Sequence, residues 1–481
     1  MRTDYKLLIV SNRLPVAMTR DGDGWRVRNA SGGLVTALAP IMKQVGGLWV
    51  GWPGCPQTPS VTDLLTESVD SDFDMKPVWL TEEEIDRYYR GYSNRTIWPL
   101  FHDLLGYFSF DTSDWHTYRD VNRRFAEVVA ESISDNTFVW IHDYQLLLVG
   151  HYLRQMGIEC ELNFFLHIPF PGDDMYRRLP SNGEVLRAIL AYDHIGFQTL
   201  KDRRNFISCV RNHHPEILRR NYRRYSVLDW RGRKVRIGNY AISIDFNEFD
   251  HGSRSKEVQE AGWYLHENHG DKKLVLGLDR LDYTKGIKER FLAFERLLEK
   301  YPELQGDISL VQIVVPSRLN VPDYASLKEE LDSLCGRING RFAREGWIPI
   351  HYEFRHLNRT QLLGHYRACE IALITPLRDG MNLVAKEYCA SSVDNRGVLI
   401  LSEFAGAAVE FAENAIIVNP FDIENTADAI YAAHVMSSEE RANRMVRLRS
   451  IVSRHTVQRW VRAFLDAAGS LGAGNQPTGG R

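Results

Sequence analysis

The chain carries its chemistry in short polar strings that follow apolar runs. The longest, T-P-L-R-D-G-M-N-L-V-A-K-E, spans Thr375 to Glu387 directly after the apolar run Ile371–Ile374. An apolar run, a polar turn with Arg378, Asp379, Gly380 and Asn382, and then a helical pattern leave free backbone N–H groups at a helix start, and such a terminus attracts anions. Gly380 lets a ligand approach the backbone, and Glu387, two helical turns further on, is placed to reach a more distant part of the same ligand. Capping alone is the competing use of an acidic residue at such a strand end. D-R-L-D-Y-T-K-G, Asp279 to Gly286, sets Arg280 and Lys285 beside a glycine. Two cations so placed suit a diphosphate; ion pairs with Asp279 or Asp282 are the alternative. Arg318, in V-P-S-R, has the same two readings. Arg13 ends S-N-R, and the Gly32–Gly33 amides of S-G-G lie downstream. Together they can hold one or two phosphates, or form a turn with a surface arginine. His142 and Asp143 in I-H-D-Y-Q fit either sugar hydroxyls or a structural pair. His167, in F-F-L-H-I-P-F-P, follows an apolar run, where a lone histidine more often serves structure.

Four cations, Arg13, Arg280, Lys285 and Arg318, thus follow apolar runs in a chain whose formal net charge is −3. Surface solvation does not favour that placement; substrates with several phosphate charges do. The overall balance gives no reason to expect nucleic acid or an anionic membrane as partner. With 481 residues the chain is too long for one core, so two domains are expected. Its 44% hydrophobic and 25% charged residues read as globular. Six scattered cysteines without C-x-x-C spacing point to reduced thiols and away from zinc. The apolar run near the N-terminus is too short for a signal peptide and no long apolar stretch occurs elsewhere, so a cytoplasmic location is expected.

The elements that must position these strings alternate as short apolar runs and helical patterns, which is the pattern of a parallel α/β fold. Strands are expected at Lys6–Val10, Thr137–Ile141, Leu162–His167 and His194–Gln198. A second series is expected at Lys273–Leu278, Ser309–Val315, Ile371–Thr375, Val398–Ser402 and Ala415–Val418. Gly33–Val45 carries Leu34, Leu38, Ile41 and Val45 on one helical face. Ile287–Lys300 and Tyr324–Cys335 read as helices as well. The two series separate near Ile242–Gly252, and Val457–Leu465 has apolar residues at helical spacing. The Gly-rich tail from Gly469 is expected to be disordered. Ligands of open α/β sheets bind beyond the carboxyl ends of strands, and a cleft between two such domains is the default site.

Taken in order, S-N-R-L-P-V, S-G-G-L, G-L-W-V-G-W-P-G, Y-S-N-R-T-I-W-P, H-D-Y-Q-L, F-L-H-I-P-F-P, D-R-L-D-Y-T-K-G, R-D-G-M-N-L-V-A-K-E and S-E-F-A-G-A-A cover Leu8 to Leu465. This series resembles the retaining glycosyltransferases that make trehalose 6-phosphate, glycosyltransferase family 20. The resemblance implies a GT-B architecture, in which two Rossmann-like domains face each other across a cleft. Residues 1–243 then form the acceptor-binding domain and 244–456 the nucleotide-sugar domain. A C-terminal helix, 457–468, returns to the first domain, and 469–481 is the tail. The resemblance also implies transfer of glucose from a nucleotide diphosphate sugar, usually UDP-glucose, to glucose 6-phosphate, without a cofactor or metal. The implied acceptor residues are Arg13 and Arg318 for the phosphate, Tyr89 and Trp98 for the pocket wall, and Asp143 for sugar hydroxyls. Gly33, Arg280 and Lys285 are implied to surround the donor diphosphate. His167 and Asp379 hold the donor glucose with backbone groups of Gly380, Met381 and Asn382. Leu383 and Val384 lie near phosphates or ribose, and Glu387 binds ribose. Arg280, Lys285, His167 and Asp379 are the implied catalytic set.

Gln145 stands where some family members carry histidine. The nearest alternatives are a glucosylglycerol-phosphate synthase, which takes glycerol 3-phosphate, and a catalytically silent sugar-phosphate sensor. The intact S-N-R and Y-S-N-R-T-I-W-P strings favour a sugar phosphate, and the retained clamp residues argue against the sensor. Family members form dimers or tetramers, and no heptad pattern here selects a homodimer or a homotetramer.

Overall fold

The computed structural model describes residues 6–21, 24–29, 33–67, 73–134, 136–222, 225–270, 272–319 and 321–469. Ser31, Gly32 and the expected disordered tail beyond Gly469 lie outside the described residues. The chain divides into two compact units, Met1–Ala241 with the end of the chain from Gln458, and Ile242–Val457.

The strands of unit 1 are β1 (Lys6–Arg13), β2 (Val16–Asp21), β3 (Gly24–Asn29), β4 (Leu48–Trp52), β5 (Asp74–Pro77), β6 (Thr137–His142), β7 (Leu162–Phe165), β8 (His194–Phe197), β9 (Leu218–Asn221), β10 (Tyr225–Trp230) and β11 (Arg233–Asn239). Strands β2 and β3 form a separate antiparallel hairpin, and the others form one sheet in the order β5-β4-β1-β6-β7-β8-β11-β10-β9. Pairing is parallel from β5 through β11 and antiparallel for β10 and β9. The central strands are largely apolar and buried along their length, as a sheet covered on both faces requires. After β1 the chain runs to β4 and β5 on one side, then crosses to β6 on the other. The carboxyl ends of β1 and β6, where Val10 pairs with Ile141, are therefore a topological switch point.

Unit 2 repeats the logic with β12 (Lys273–Arg280), β13 (Ile308–Val315), β14 (Ile350–Phe354), β15 (Ile371–Ile374), β16 (Val398–Ser402) and β17 (Ile416–Val418). Its sheet is wholly parallel in the order β14-β13-β12-β15-β16-β17. The switch lies between β12 and β15, so Asp279–Gly286 and Thr375–Asn382 leave adjacent strands at the same edge.

The helix Val457–Gly469 belongs to unit 1 from Gln458 onward. Phe464 stacks on Trp140, with ring centroids 4.4 Å apart, and on His194 at 4.3 Å. Trp460 meets Phe165 at 5.2 Å and His167 at 6.0 Å. The helix therefore supports the strand ends that carry His142 and His167.

Candidate active site

In unit 1 the S-N-R string ends β1 and every residue of it is tied down. Trp49 Nε1 donates to Ser11 Oγ at 2.8 Å, and Ser11 Oγ donates to the Arg13 carbonyl at 2.7 Å. The Tyr88 hydroxyl donates to Asn12 Oδ1 at 2.8 Å. The Arg13 guanidinium lies 4.6 Å over the Trp52 ring and passes so close to Gly54 that an added Cβ would sit 1.8 Å from Nη2. Gly54, at φ +92°, is thus favoured by its backbone conformation. Burial pushes the Arg13 guanidinium below its ordinary pKa, and Tyr89 and Cys55 oppose the shift.

Tyr88 and Tyr89 sit on a π-helical stretch, Ile85–Ile97, in which the Trp98 N–H reaches back to the Ser93 carbonyl. Such wide turns are rare and collect at functional sites. This one turns Tyr88 to Asn12 and sets Tyr89 edge-on to Trp52, ring centroids 6.0 Å apart. Asn94 Nδ2 donates to the Tyr89 carbonyl at 2.6 Å, and Asn94 Oδ1 accepts from the Tyr144 hydroxyl at 3.0 Å. Trp98 is buried and packs against Tyr144, with ring centroids 5.4 Å apart. The Y-S-N-R-T-I-W-P, S-N-R and H-D-Y strings are therefore one hydrogen-bonded assembly.

Asp143 follows β6 at φ +76° and ψ 171°, backbone space that glycine favours and that costs a side-chain residue on the order of 1–3 kcal/mol. Among the contacts that hold it there, its N–H donates to the Phe165 carbonyl at 2.8 Å, its Oδ1 accepts the His167 N–H at 3.1 Å, and its carbonyl accepts the Leu146 N–H at 3.1 Å. His167 Nε2 is 3.1 Å from His142 Nδ1, and His167 Nδ1 is 3.4 Å from Gln198 Nε2. Burial pushes His167 down to about 3, and burial with the neighbouring His167 takes His142 well below its ordinary value. Both rings are neutral near pH 7. The orientation of the Gln198 amide that donates to Nδ1 goes with the His167 tautomer that is protonated on Nε2, towards His142. Gly33 opens the helix Gly33–Val45 and is exposed.

In unit 2 the carboxyl end of β12 separates a buried acid from an exposed cation. Asp279 pairs with Arg290 Nη1 at 2.5 Å, and Arg290 also reaches Gln312 at 2.9 Å and Thr375 Oγ1 at 3.3 Å. The expected alternative, Asp279 pairing with Arg280 or Lys285, is not what forms, because Arg290 projects from the next helix into that place. Asp282 accepts from the Thr284 N–H at 3.0 Å and hydroxyl at 2.9 Å and lies 3.6 Å from Arg318 Nη1. Burial raises its carboxyl, yet Arg318, Lys285 and Arg280, with the Thr284 N–H, outweigh burial and leave the pKa below its ordinary value. Three of the four strand-end cations thus gather around one carboxylate. Arg318 itself stands at φ +50° and donates to the Tyr324 hydroxyl at 2.6 Å.

Lys285 Nζ lies 2.5 Å from Asp379 Oδ2, and Asn382 Nδ2 donates to the same oxygen at 3.2 Å. Asn382, at φ +75°, caps the helix Leu383–Ser391 by accepting the Ala385 N–H at 3.2 Å. The loop is locked from two sides. The Leu377 N–H donates to Thr284 at 2.8 Å, and Gly286, at φ +62°, lies where a Cβ would come 2.2 Å from the Thr375 carbonyl. On the other side S-E-F-A-G-A-A receives it: the Asp379 N–H donates to Phe404, the Gly406 N–H to Asp379 and the Ala407 N–H to Met381, at 3.2, 3.1 and 2.8 Å. A Cβ on Gly406 would lie 1.9 Å from the Gly380 carbonyl oxygen. Met381 is buried, and Leu383 and Val384 are half-buried on the first helical turn. Glu387 accepts the Tyr366 hydroxyl at 2.6 Å through Oε2. Burial raises its carboxyl, and Tyr366 and Arg359 offset part of that rise.

The sequence analysis assigned no role to Tyr88, Asn94, Arg290, Tyr366 or Gly406, although Asn94 and Gly406 lie within the strings Y-S-N-R-T-I-W-P and S-E-F-A-G-A-A. Only Gly406 had a readable signal, a glycine between alanines after an apolar run. Among the described residues no group of three or more His, Cys, Asp or Glu side chains is arranged to hold a metal ion. Among them, too, no helix is long and apolar enough to cross a membrane.

The family model described as glycosyltransferase family 20 matches residues 5–469. A protein of Mycolicibacterium vanbaalenii named trehalose-6-phosphate synthase is 40% identical over 470 residues, 96% of this chain and 96% of its own. A crystal structure of an α,α-trehalose-phosphate synthase (UDP-forming) from Burkholderia xenovorans, in complex with glucose-6-phosphate, superposes with a TM-score of 0.87 at 32% identity, covering 96% of this chain and 100% of that one. A structure from E. coli bound with UDP-2-fluoro glucose gives a TM-score of 0.85 at 34% identity, covering 96% and 98%.

Proposed function

The chain belongs to glycosyltransferase family 20, and on that premise we propose that it transfers glucose, with retention, from UDP-glucose to glucose 6-phosphate, giving α,α-trehalose 6-phosphate and UDP. The observation that carries the reading is the gathering of Arg280, Lys285 and Arg318 around Asp282 at the carboxyl edge of β12 and β13, in a chain of net charge −3. Such a concentration serves substrates that bring phosphate charge.

Breaking the anomeric C–O bond leaves positive character on glucose and negative charge on the departing diphosphate. Arg280, Lys285 and the start of the helix Leu383–Ser391, which Asn382 caps, receive that charge, as cations and a helix N-terminus stabilise a departing anion. Gly33 joins them on the diphosphate. Asp379 is engaged by Lys285 and Asn382, which suits it to hold glucose hydroxyls rather than to attack as a nucleophile. The leaving phosphate oxygen then takes the acceptor's proton. His167, neutral through burial, holds donor glucose together with backbone groups of Gly380, Met381 and Asn382. Leu383 and Val384 lie along the phosphates, and Glu387 takes the ribose. Arg13 and Arg318 receive the acceptor phosphate, Asp143 its sugar hydroxyls, and Tyr89 with Trp98 its ring. The six cysteines, all free, support work in the cytoplasm.

The test is a donor and acceptor panel. UDP-, GDP- and ADP-glucose are each combined with glucose 6-phosphate or glycerol 3-phosphate, and products are read by mass. Trehalose 6-phosphate from UDP-glucose is expected. Turnover with glycerol 3-phosphate alone overturns the acceptor assignment.

A further inference from the structure

Tyr366 lies on the helix Arg359–Ala368, outside every string that marks the site, and is 1% exposed. Its hydroxyl makes one hydrogen bond, to Glu387 Oε2 at 2.6 Å. The other oxygen of that carboxylate, Oε1, makes no hydrogen bond among the described residues, and Glu387 as a whole keeps partial contact with solvent. A glutamate side chain is costly to order, and one fixed before its ligand arrives binds more tightly than one that must be fixed on arrival. The short bond from a buried phenol does this fixing: it consumes one oxygen, restricts the rotamer and leaves the second oxygen for a ligand.

We propose that Tyr366 is a positioning residue for the donor nucleotide, acting through Glu387 to set its carboxylate for the ribose hydroxyls. The inference rests on the assignment of Glu387 to ribose. Tyr366 touches no substrate; it determines how well Glu387 does. The bond also opposes the rise that burial imposes on the Glu387 carboxyl and so helps keep it ionised, the form that accepts two hydroxyl donors.

The test compares wild type, Tyr366→Phe, Glu387→Gln and the double variant with UDP-glucose and with its 2′-deoxy and 3′-deoxy ribose analogues, glucose 6-phosphate being saturating. For Tyr366→Phe the KM for UDP-glucose is expected to rise about tenfold, the scale of one hydrogen bond to a charged group, with kcat unchanged and, in a separate titration of glucose 6-phosphate at saturating UDP-glucose, its KM unchanged. With the deoxy donor that wild type uses poorly, the Tyr366→Phe penalty disappears, because the hydroxyl that Glu387 would grip is gone. The two substitutions are non-additive, as expected of groups acting as a unit. If wild type is indifferent to both deoxy donors, Glu387 does not bind ribose and the premise fails. If wild type is sensitive but Tyr366→Phe is silent, or raises KM equally for all donors, the premise stands and the positioning role is wrong. Should Tyr366→Phe lower stability, the double variant decides: full additivity on Glu387→Gln means the hydroxyl serves packing alone.

Discussion

Replacing Lys285 by alanine separates two uses of one ammonium group. Its Nζ is 2.5 Å from Asp379 Oδ2, with 12% and 16% of the two side chains exposed, so the pair is largely shielded from water. If Lys285 merely neutralises Asp379, its loss harms the enzyme by freeing a carboxylate. If it also stabilises the departing diphosphate, its loss removes a charge from the transition state. At about 4 Å and an effective dielectric of about 20, one such charge is worth roughly 4 kcal/mol. Loss of a single preorganised group facing developing charge costs about 3 kcal/mol, or on the order of a hundredfold in kcat. Arg280 and Arg318 remain around Asp282, so residual turnover is expected rather than none. Lys285→Ala, Asp379→Asn and the double variant are assayed for UDP release under saturating substrates. The expected result is a drop of about a hundredfold for Lys285→Ala that persists, within about threefold, in the Asp379→Asn background. A Lys285→Ala enzyme within threefold of wild type refutes the reasoning. So does a penalty that vanishes once Asp379 is neutral, since Lys285 would then serve its partner only.

Gly406→Ala places a Cβ 1.9 Å from the Gly380 carbonyl; overpacking of this kind costs about 1–3 kcal/mol, and kcat/KM should fall at least as steeply as stability in parallel assays and urea titrations. Phe464→Ala empties a fully buried aromatic site between Trp140 and His194; a loss of about 3–5 kcal/mol in denaturant unfolding is expected, and a loss under 1 kcal/mol would show that the terminal helix contributes little to unit 1. His194 is fully buried and held at about 3 by burial, below its unfolded value of 6.5. The unfolded chain therefore binds a proton that the folded one refuses, and stability falls as pH drops from 6.5 toward 3. By pH 5 that amounts to about 2 kcal/mol from His194, with His142 acting in the same direction. Denaturant midpoints at pH 7 and pH 5 measure the loss, and His194→Phe should shrink it.

The parts of this architecture that sequence made legible are those written in local patterns. β12, β13, β15 and β16 are apolar runs followed by polar strings, and the helix Gly33–Val45 carries its own periodicity. β4 escaped because Leu48–Trp52 is flanked by glycines and buried at every position, which gives no alternation to read. β9 escaped for the opposite reason: Leu218–Asn221 is exposed throughout and, at the end of the sheet order, pairs with β10. The π-helical winding at Ile85–Ile97 has no local signature either, since it is fixed by tethers from Tyr88 to Asn12 and Tyr144 to Asn94. Within the site, spacing offered Asp279 and Asp282 as partners for Lys285. The partner is Asp379, 94 residues away, reached because β12 and β15 are neighbours across the switch point. Residue types and strand ends were local information; pairings across strands were not.

The central claim is transfer with retention to the anomeric hydroxyl of glucose 6-phosphate, and proton NMR of the product from UDP-glucose and glucose 6-phosphate tests it most directly. The account predicts α,α-trehalose 6-phosphate, with both anomeric protons showing α couplings and UDP released in equal amount. A β-linked glucose, or free glucose from donor hydrolysis with glucose 6-phosphate unconsumed, would contradict it.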